Sequence, residues 1–262
     1  MSRSERGSHA PVAASAPPRA LRLLRGRPDG PLPIVHQGPH AVYLDLGGWC
    51  LGVLAADAVA VPNGLRTRID RFPPTTEPSS YLEGGILHID GRPVAVGRVE
   101  DVHVPRLDRR EVLRTLAGSA GPVATTPAPV AGLAAALAPR GVDAPAVARL
   151  VGRGDGLTPL GDDLLAGWLV TCRALGVATA DVDAAVREAL PRTTLLSATL
   201  LDCALHGEAV PQVRAWLAAL GTPRLDDRTE ALLAVGHSSG GGLLGGALLA
   251  LHQIDTEGAL AA

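Results

Sequence analysis

Two glycine-rich stretches of this 262-residue chain hold the side chains best suited to chemistry. The first, "VGHSSGGGLLGG" from Val235, contains Gly236-His237-Ser238-Ser239-Gly240 and satisfies G-x-S-x-G. That pattern is the nucleophile elbow of α/β-hydrolases, where a serine on a strand-to-helix turn attacks an acyl carbonyl. The triad must then continue with Asp or Glu followed by His, carried by later strands. Only 24 residues follow Ser238, and they hold His252 before Asp255, in the wrong order and within one helical turn. Ser238 is therefore expected to be a donor at a helix start and not a nucleophile.

The second stretch, "VGRGDGLTPLGDDLLAGWL" from Val151, carries more information. Gly152, Gly154 and Gly156 permit positive φ, which lets successive N–H groups point into one concavity. Thr158-Pro159 reads as a helix N-cap followed by its first residue, and Asp162 and Asp163 fall in the first turn. Acids there offset the helix dipole without any ligand, which accounts for the aspartates but not for the alternating glycines. A glycine loop entering a helix is an anion site, and adjacent carboxylates can hold Mg²⁺ against the anion. Asp162 and Asp163 are thus candidate metal ligands and catalytic residues. Gly152, Gly154, Gly156 and Thr158 are candidate ligand contacts. The G-x-G-x-x-G spacing of a dinucleotide fold is absent, so NAD is not expected.

A third polar helix start lies in "PRTTLLSATLLDCALHG", with Arg192, Thr193 and Thr194 at its beginning and Ser197 one turn later. Three such starts suggest one shared anion pocket, against the alternative of three unrelated caps. In the shared pocket Thr193, Thr194, Ser238, Ser239 and Gly240 supply neutral donors. His237 is the switchable acid/base, and Arg153 or Arg192 supplies countercharge. The two aspartates would repel an anion, so they must hold a cation or orient donors behind it.

The elements that position these residues follow from spacing. Short alternating runs separated by Gly and Pro fill residues 30–105: "LPIVHQG", "AVYLDLGG", "WCLGVLA", "GILHID" and "RPVAVGRVEDVHV". Gly47-Gly48 and Asp90-Gly91 read as two-residue hairpin turns, and "RIDRFPPTTEPSS" as a proline-rich loop. From about residue 107 the spacing becomes i, i+3, i+4, i+7 through successive helical segments, among them "PAPVAGLAAALA". The expected fold is α+β: a mainly antiparallel β half over 29–106, then a helical half over 107–262. Residues 1–28, rich in Pro, Ala and Ser, read as a disordered tail with no apolar leader segment.

Composition excludes several functions. The 24 basic residues are all Arg, which rules out a pyridoxal phosphate lysine, Schiff-base chemistry and a P-loop lysine. A net charge of −2 and 2% aromatic residues argue against nucleic acid as a partner. Cys50, Cys172 and Cys203 form no C-x-x-C, so they read as buried thiols, and nothing points to haem. The uncharged run Ala231–Leu251 is broken by His-Ser-Ser-Gly-Gly-Gly, so no membrane association is expected and the chain reads as cytoplasmic.

"GRGDGLTPLGDDLLAG", "RTTLLSATLLDCALHGE" and "VGHSSGGGLLGGALLAL" together resemble the three blocks of the AllH-type family of bacterial proteins. The family's hallmark block is similar, with Leu160 here in place of Ser and Leu164 in place of Phe. "AVYLDLGG" and "VPNGLRT" extend the likeness into the N-terminal half. The resemblance implies one subunit of oxamate carbamoyltransferase, which uses three different subunits in allantoin (purine) catabolism. The complex interconverts oxalurate plus phosphate with oxamate plus carbamoyl phosphate, all of them anions. It implies a hetero-oligomeric transferase subunit with a small anionic substrate. The alternative is a non-catalytic ligand-binding or partner subunit.

Overall fold

The computed structural model describes residues 10–74, 79–117, 132, 137 and 141–260. The helix expected from "PAPVAGLAAALA" lies outside them except at Gly132 and Leu137. The chain divides into two compact units, Met1–Asp101 and Val102–Ala262.

Among the described residues the first unit forms a nine-stranded sheet with spatial order β2-β7-β8-β9-β1-β6-β5-β4-β3. Its strands are β1 (Val12–Ala16), β2 (Gly30–Pro31), β3 (Ile34–Gln37), β4 (Ala41–Asp45), β5 (Cys50–Leu54), β6 (Gly64–Thr67), β7 (Ser80–Glu83), β8 (Ile86–Ile89) and β9 (Arg92–Val99). Pairing is antiparallel except between β1 and β9 and between β5 and β6. The glycine turns work as their local chemistry requires. Gly47 and Gly48 stand at φ 78° and 91°, and Asp90 and Gly91 at 48° and 74°. Both residues of each pair have the positive φ that matches a tight turn to strand twist. One sheet face packs Ala14, Leu44, Leu51, Val53, Leu65 and Val94 into a core, to which helix α1 (Pro18–Arg25) adds Ala20 and Leu24.

The disordered tail expected over 1–28 is corrected for the residues described. "VAASA" is β1, at the middle of the sheet, bonded to β6 on one side and β9 on the other. Alanine and serine have weak strand preference of their own. Two ladders and a buried position override it, because strand propensity is mostly context. Strands β6 and β7 were likewise not read from the sequence. Each has only four residues, and their partners are remote in sequence or joined through the Gly84-Gly85 turn.

The second unit is helical: α2 (Arg109–Ala117), α3 (Ala144–Leu150), α4 (Leu160–Ala174), α5 (Ala180–Ala189), α6 (Leu195–Leu205), α7 (Pro211–Ala218), α8 (Leu225–Leu233) and α9 (Ser239–Leu260). Among the described residues its only β pairing is the isolated bridge between His103 and Glu208. Helix α4 is the axis. Nearly all its residues are buried, so no polar face remains for solvent. Its C-terminal end is tied by Arg173, whose guanidinium donates to both oxygens of Asp183 at 2.6 Å and to the Leu205 carbonyl at 2.9 Å.

Helix α9 lies backbone to backbone against α4. A Cβ on Gly246 would sit 1.8 Å from the Leu164 carbonyl oxygen, and one on Gly167 would sit 2.0 Å from that of Leu243. The close approach runs through Gly242 and Gly246 on α9, with Gly167 as their counterpart on α4. No helix among the described residues is long and apolar enough to cross a membrane. All three cysteines are buried.

This contact gives a stability test. Gly246→Ala forces a methyl into a carbonyl that belongs to a rigid helix and cannot rotate away. The variant should lose stability at or above the ~1–3 kcal/mol typical of overpacking. The expected readout is a lower urea midpoint with an unchanged m-value.

Candidate functional site

The glycine loop before α4 folds onto protein and leaves less open concavity than its sequence suggests. Gly152, Gly154 and Gly156 do adopt positive φ, at 76°, 120° and 87°. A Cβ on Gly152 would meet the Arg192 carbonyl oxygen at 2.6 Å, and one on Gly154 the Leu160 nitrogen at 2.8 Å. Only Gly156 faces open space. Arg153 N–H donates to the Leu150 carbonyl, and its own carbonyl accepts Gly161 N–H, both at 2.9 Å. Gly152 N–H donates to Asp162 Oδ1 at 2.8 Å. The expected row of loop donors aimed at an anion is corrected at Gly152. The protein uses that donor internally because a buried carboxylate lies within reach.

Asp162 is almost fully buried and holds the three segments together. Its Oδ2 accepts the Ser197 hydroxyl at 2.6 Å and also the Thr193 hydroxyl. Thr193 precedes the cap in extended backbone, at φ −123° and ψ −178°, and Ser197 lies in the first turn of α6, so the two hydroxyls reach Asp162 from before and after the helix start. Ser197 belongs to the site although its residue type and spacing gave it no role there; its place three residues after the capping Thr194 was the available signal. Thr194 caps α6, its oxygen accepting Ser197 N–H at 3.1 Å. Its hydroxyl donates to the Leu157 carbonyl in the glycine loop at 2.5 Å.

Asp163 has a different environment one residue later. It is buried, and its Oδ2 has no hydrogen-bond partner among the described residues. Burial pushes its carboxyl up to about 7. Hydrogen bonds from Ser239 and Thr158 pull the other way, while the charge of Asp162 adds to the rise. The Thr158 and Ser239 hydroxyls lie 2.9 Å apart, joining the glycine loop to the start of α9. Thr158 is not the N-cap, a second correction. Pro159 occupies that position, and its carbonyl accepts the N–H groups of Asp162 and Asp163. The Thr158 side chain turns toward Ser239 and Asp163 instead.

The three polar helix starts therefore meet, at side-chain contact distance. Other expected members have different surroundings. His237 and Ser238 are exposed on the turn between α8 and α9. That turn follows a helix and not a strand, so the elbow geometry is absent. Gly240 is a packing residue: its N–H donates to the Val235 carbonyl, and a Cβ would lie 2.0 Å from the Leu232 carbonyl oxygen. Arg192 donates to the Ala148 carbonyl in the last turn of α3 at 2.8 Å. Arg153 is exposed. Both oxygens of Asp162 accept protein donors, whereas Asp163 Oδ2 has no partner among the described residues.

Residues 150–251 match the family model described as oxamate carbamoyltransferase subunit AllH. The match contains all three glycine and hydroxyl segments of the site. "AVYLDLGG" and "VPNGLRT" lie outside it. No curated protein and no solved structure matches the chain.

Two stability measurements test this geometry. Asp162→Ala leaves the Thr193 and Ser197 hydroxyls and Gly152 N–H without their acceptor. At ~1–3 kcal/mol for each buried unsatisfied group, the variant should be among the most damaging polar substitutions by chemical denaturation. Asp163 predicts a pH signature. Its carboxyl titrates near 7 when folded and near the ordinary 3.8 when unfolded. Between those values the folded state holds the extra proton, so stability falls as pH rises from about 4 to 7 and is level above. Asp163→Asn should flatten that segment of the melting-temperature profile and gain most over wild type at alkaline pH.

Proposed function

On the premise that residues 150–251 form an AllH domain, we propose that this chain is a subunit of an oxamate carbamoyltransferase-type complex. Asp163 is its proton-transferring residue at the convergence of the three loops. The observation that supports this reading is the contrast between the two adjacent carboxylates: Asp162 satisfied by three donors, Asp163 buried with an unpartnered oxygen and a carboxyl near 7. A group with such a value is present as both acid and base at neutral pH, which suits general acid–base work.

The reaction needs such a group. In the phosphorolytic direction a phosphate oxygen bonds to the ureido carbonyl carbon of oxalurate. The bond from that carbon to the oxamate nitrogen breaks, and the leaving nitrogen must gain a proton. Protonated Asp163 supplies it, and in the reverse direction the carboxylate removes it from oxamate. Neutral Asp163 also resolves the conflict between a carboxylate and an anionic ligand, since the acid form donates a hydrogen bond to the anion. The Thr158 and Ser239 hydroxyls stand beside it as neutral donors, and His237 and Ser238 at the exposed turn complete the rim. Asp162 positions the loops and does not react. A Mg²⁺ ion on Asp163 is the other form of the same reading, with one carboxylate and the anion sharing the metal.

The reading as a non-catalytic partner subunit has its own support: Leu157, on the glycine loop, is 42% exposed, an apolar side chain suited to burial by another chain.

Reconstitution with the other subunits separates these readings. Carbamoyl phosphate should form from oxalurate and phosphate only in the assembled complex. Asp163→Asn should lower kcat by ~10²-fold or more with KM little changed, and erase the limb of the pH profile near 7. Full kcat in the Asp163→Asn complex would assign this chain the non-catalytic role, and Leu157→Ser should then impair assembly. A Mg²⁺ titration decides the metal form: wild-type activity that rises with Mg²⁺, lost in Asp163→Asn, supports it.

A further inference from the structure

We propose that the first unit carries a second ligand site, for a small dianion, on the outer face of its sheet over strands β6, β1 and β9. The register builds it. Ser15 in β1 stands opposite Arg66 in β6 on one side and opposite Arg98 in β9 on the other. Alternation alone would turn Arg98 to the face of Val94, but the register shifts between Ala14, opposite Val96, and Ser15, opposite Arg98. This irregularity past Gly97 carries Arg98 into a row with Ser15 and Arg66, on the face opposite to that of Ala14, Leu65 and Val94 in the core. Arg68 follows Arg66 by two residues and returns to the same face. The three guanidinium-bearing residues border a groove of about 570 Å³ floored by Ala13, Ala95 and Gly97. Side chains this small leave the sheet backbone accessible and give the groove its depth.

Charge selects the ligand. One carboxylate stands at the groove's end, Glu100, whose Oε1 accepts the Ser15 hydroxyl at 2.8 Å and the Arg98 guanidinium. Burial raises its carboxyl, but hydrogen bonds from Ser15 and Arg98 and the charges of Arg98 and Arg66 outweigh that and hold it ionised. Glu100 thus offsets one arginine. Two guanidinium charges of the three remain in excess, and Arg66 makes a long 3.4 Å contact to the Ala56 carbonyl. A local charge of plus two matches a doubly charged anion. Strands ~4.8 Å apart put the Arg66 and Arg98 backbones ~10 Å from each other, a span their side chains can close around one phosphate or dicarboxylate. The groove's volume falls within the range of small-molecule sites. All of its lining belongs to the first unit, outside residues 150–251, so the inference stands apart from the helical site.

Calorimetry on the full chain tests it, with inorganic phosphate and malonate as dianions and chloride as the monoanion control. Either dianion, or both, should bind saturably at one site, more weakly as NaCl is raised. Phosphate alone would mark a phosphoryl site, and both together a general dianion site. Arg66→Ala and Arg98→Ala should each weaken binding at least tenfold. Glu100→Gln should strengthen it several-fold, an effect that misfolding cannot produce. The same titrations in an Asp163→Asn background should be unchanged, which keeps this result separate from the fate of the helical site. Dianion binding indifferent to both arginine variants and to Glu100→Gln, or no saturable binding in wild type, would overturn the proposal.

Discussion

A single buried carboxylate holds the helical unit's polar region in register. Asp162 sits in the first turn of α4, yet its acceptors serve Gly152, ten residues earlier, and the Thr193 and Ser197 hydroxyls at the start of α6. Burying a carboxylate is costly unless protein donors replace its water, so losing any of the three leaves it less compensated. The glycine loop must bend back far enough to present Gly152 N–H. The α6 start must face inward. Thr194 then reaches the loop carbonyl at Leu157, and Thr158 reaches Ser239 on α9. The tie made by Asp162 is what allows the next residue to be unusual.

Asp163 shows what that allows. Two chemically identical neighbours differ because one is given three donors and the other is left with an oxygen that has none. Desolvation without full compensation favours the neutral acid. The environment costs stability at neutral and alkaline pH, as sites with perturbed proton affinity commonly do. Close helix packing supports it. Gly242 lies against the Asp163 Cβ, and Gly167 and Gly246 let the α4 and α9 backbones touch, leaving little room for water behind the carboxyl.

The glycines of this chain therefore do two jobs that sequence alone does not separate. At Gly47-Gly48 and Gly84-Gly85 they supply positive φ for hairpin turns, a local requirement. At Gly161, Gly167, Gly240 and Gly246 their φ is ordinary, and the missing side chain makes room for a neighbouring carbonyl. Gly152 and Gly154 combine both. The alternation of glycines in this loop thus meets a packing requirement as well as a conformational one. The same chain uses arginine alone for positive charge, and these side chains serve as caps and ties at Arg173 and Arg192 and as groove walls at Arg66 and Arg98.

The sequence by itself determined what depends on neighbours along the chain. The change from alternating to helical spacing near residue 107 separated strands from helices. The Gly47-Gly48 and Asp90-Gly91 turns and the three polar helix starts were legible from residue type and spacing. Tertiary structure decided what depends on remote partners. "VAASA" became a central strand because β6 and β9 flank it, where its own composition reads as coil. Thr158 gave up the cap for a hydroxyl 81 residues away on α9, and Ser197 entered the site through a carboxylate 35 residues earlier. The distinction between Asp162 and Asp163 belongs to the same class. Burial and hydrogen-bond satisfaction are set by which segments meet in space, and two adjacent identical letters carry no record of that.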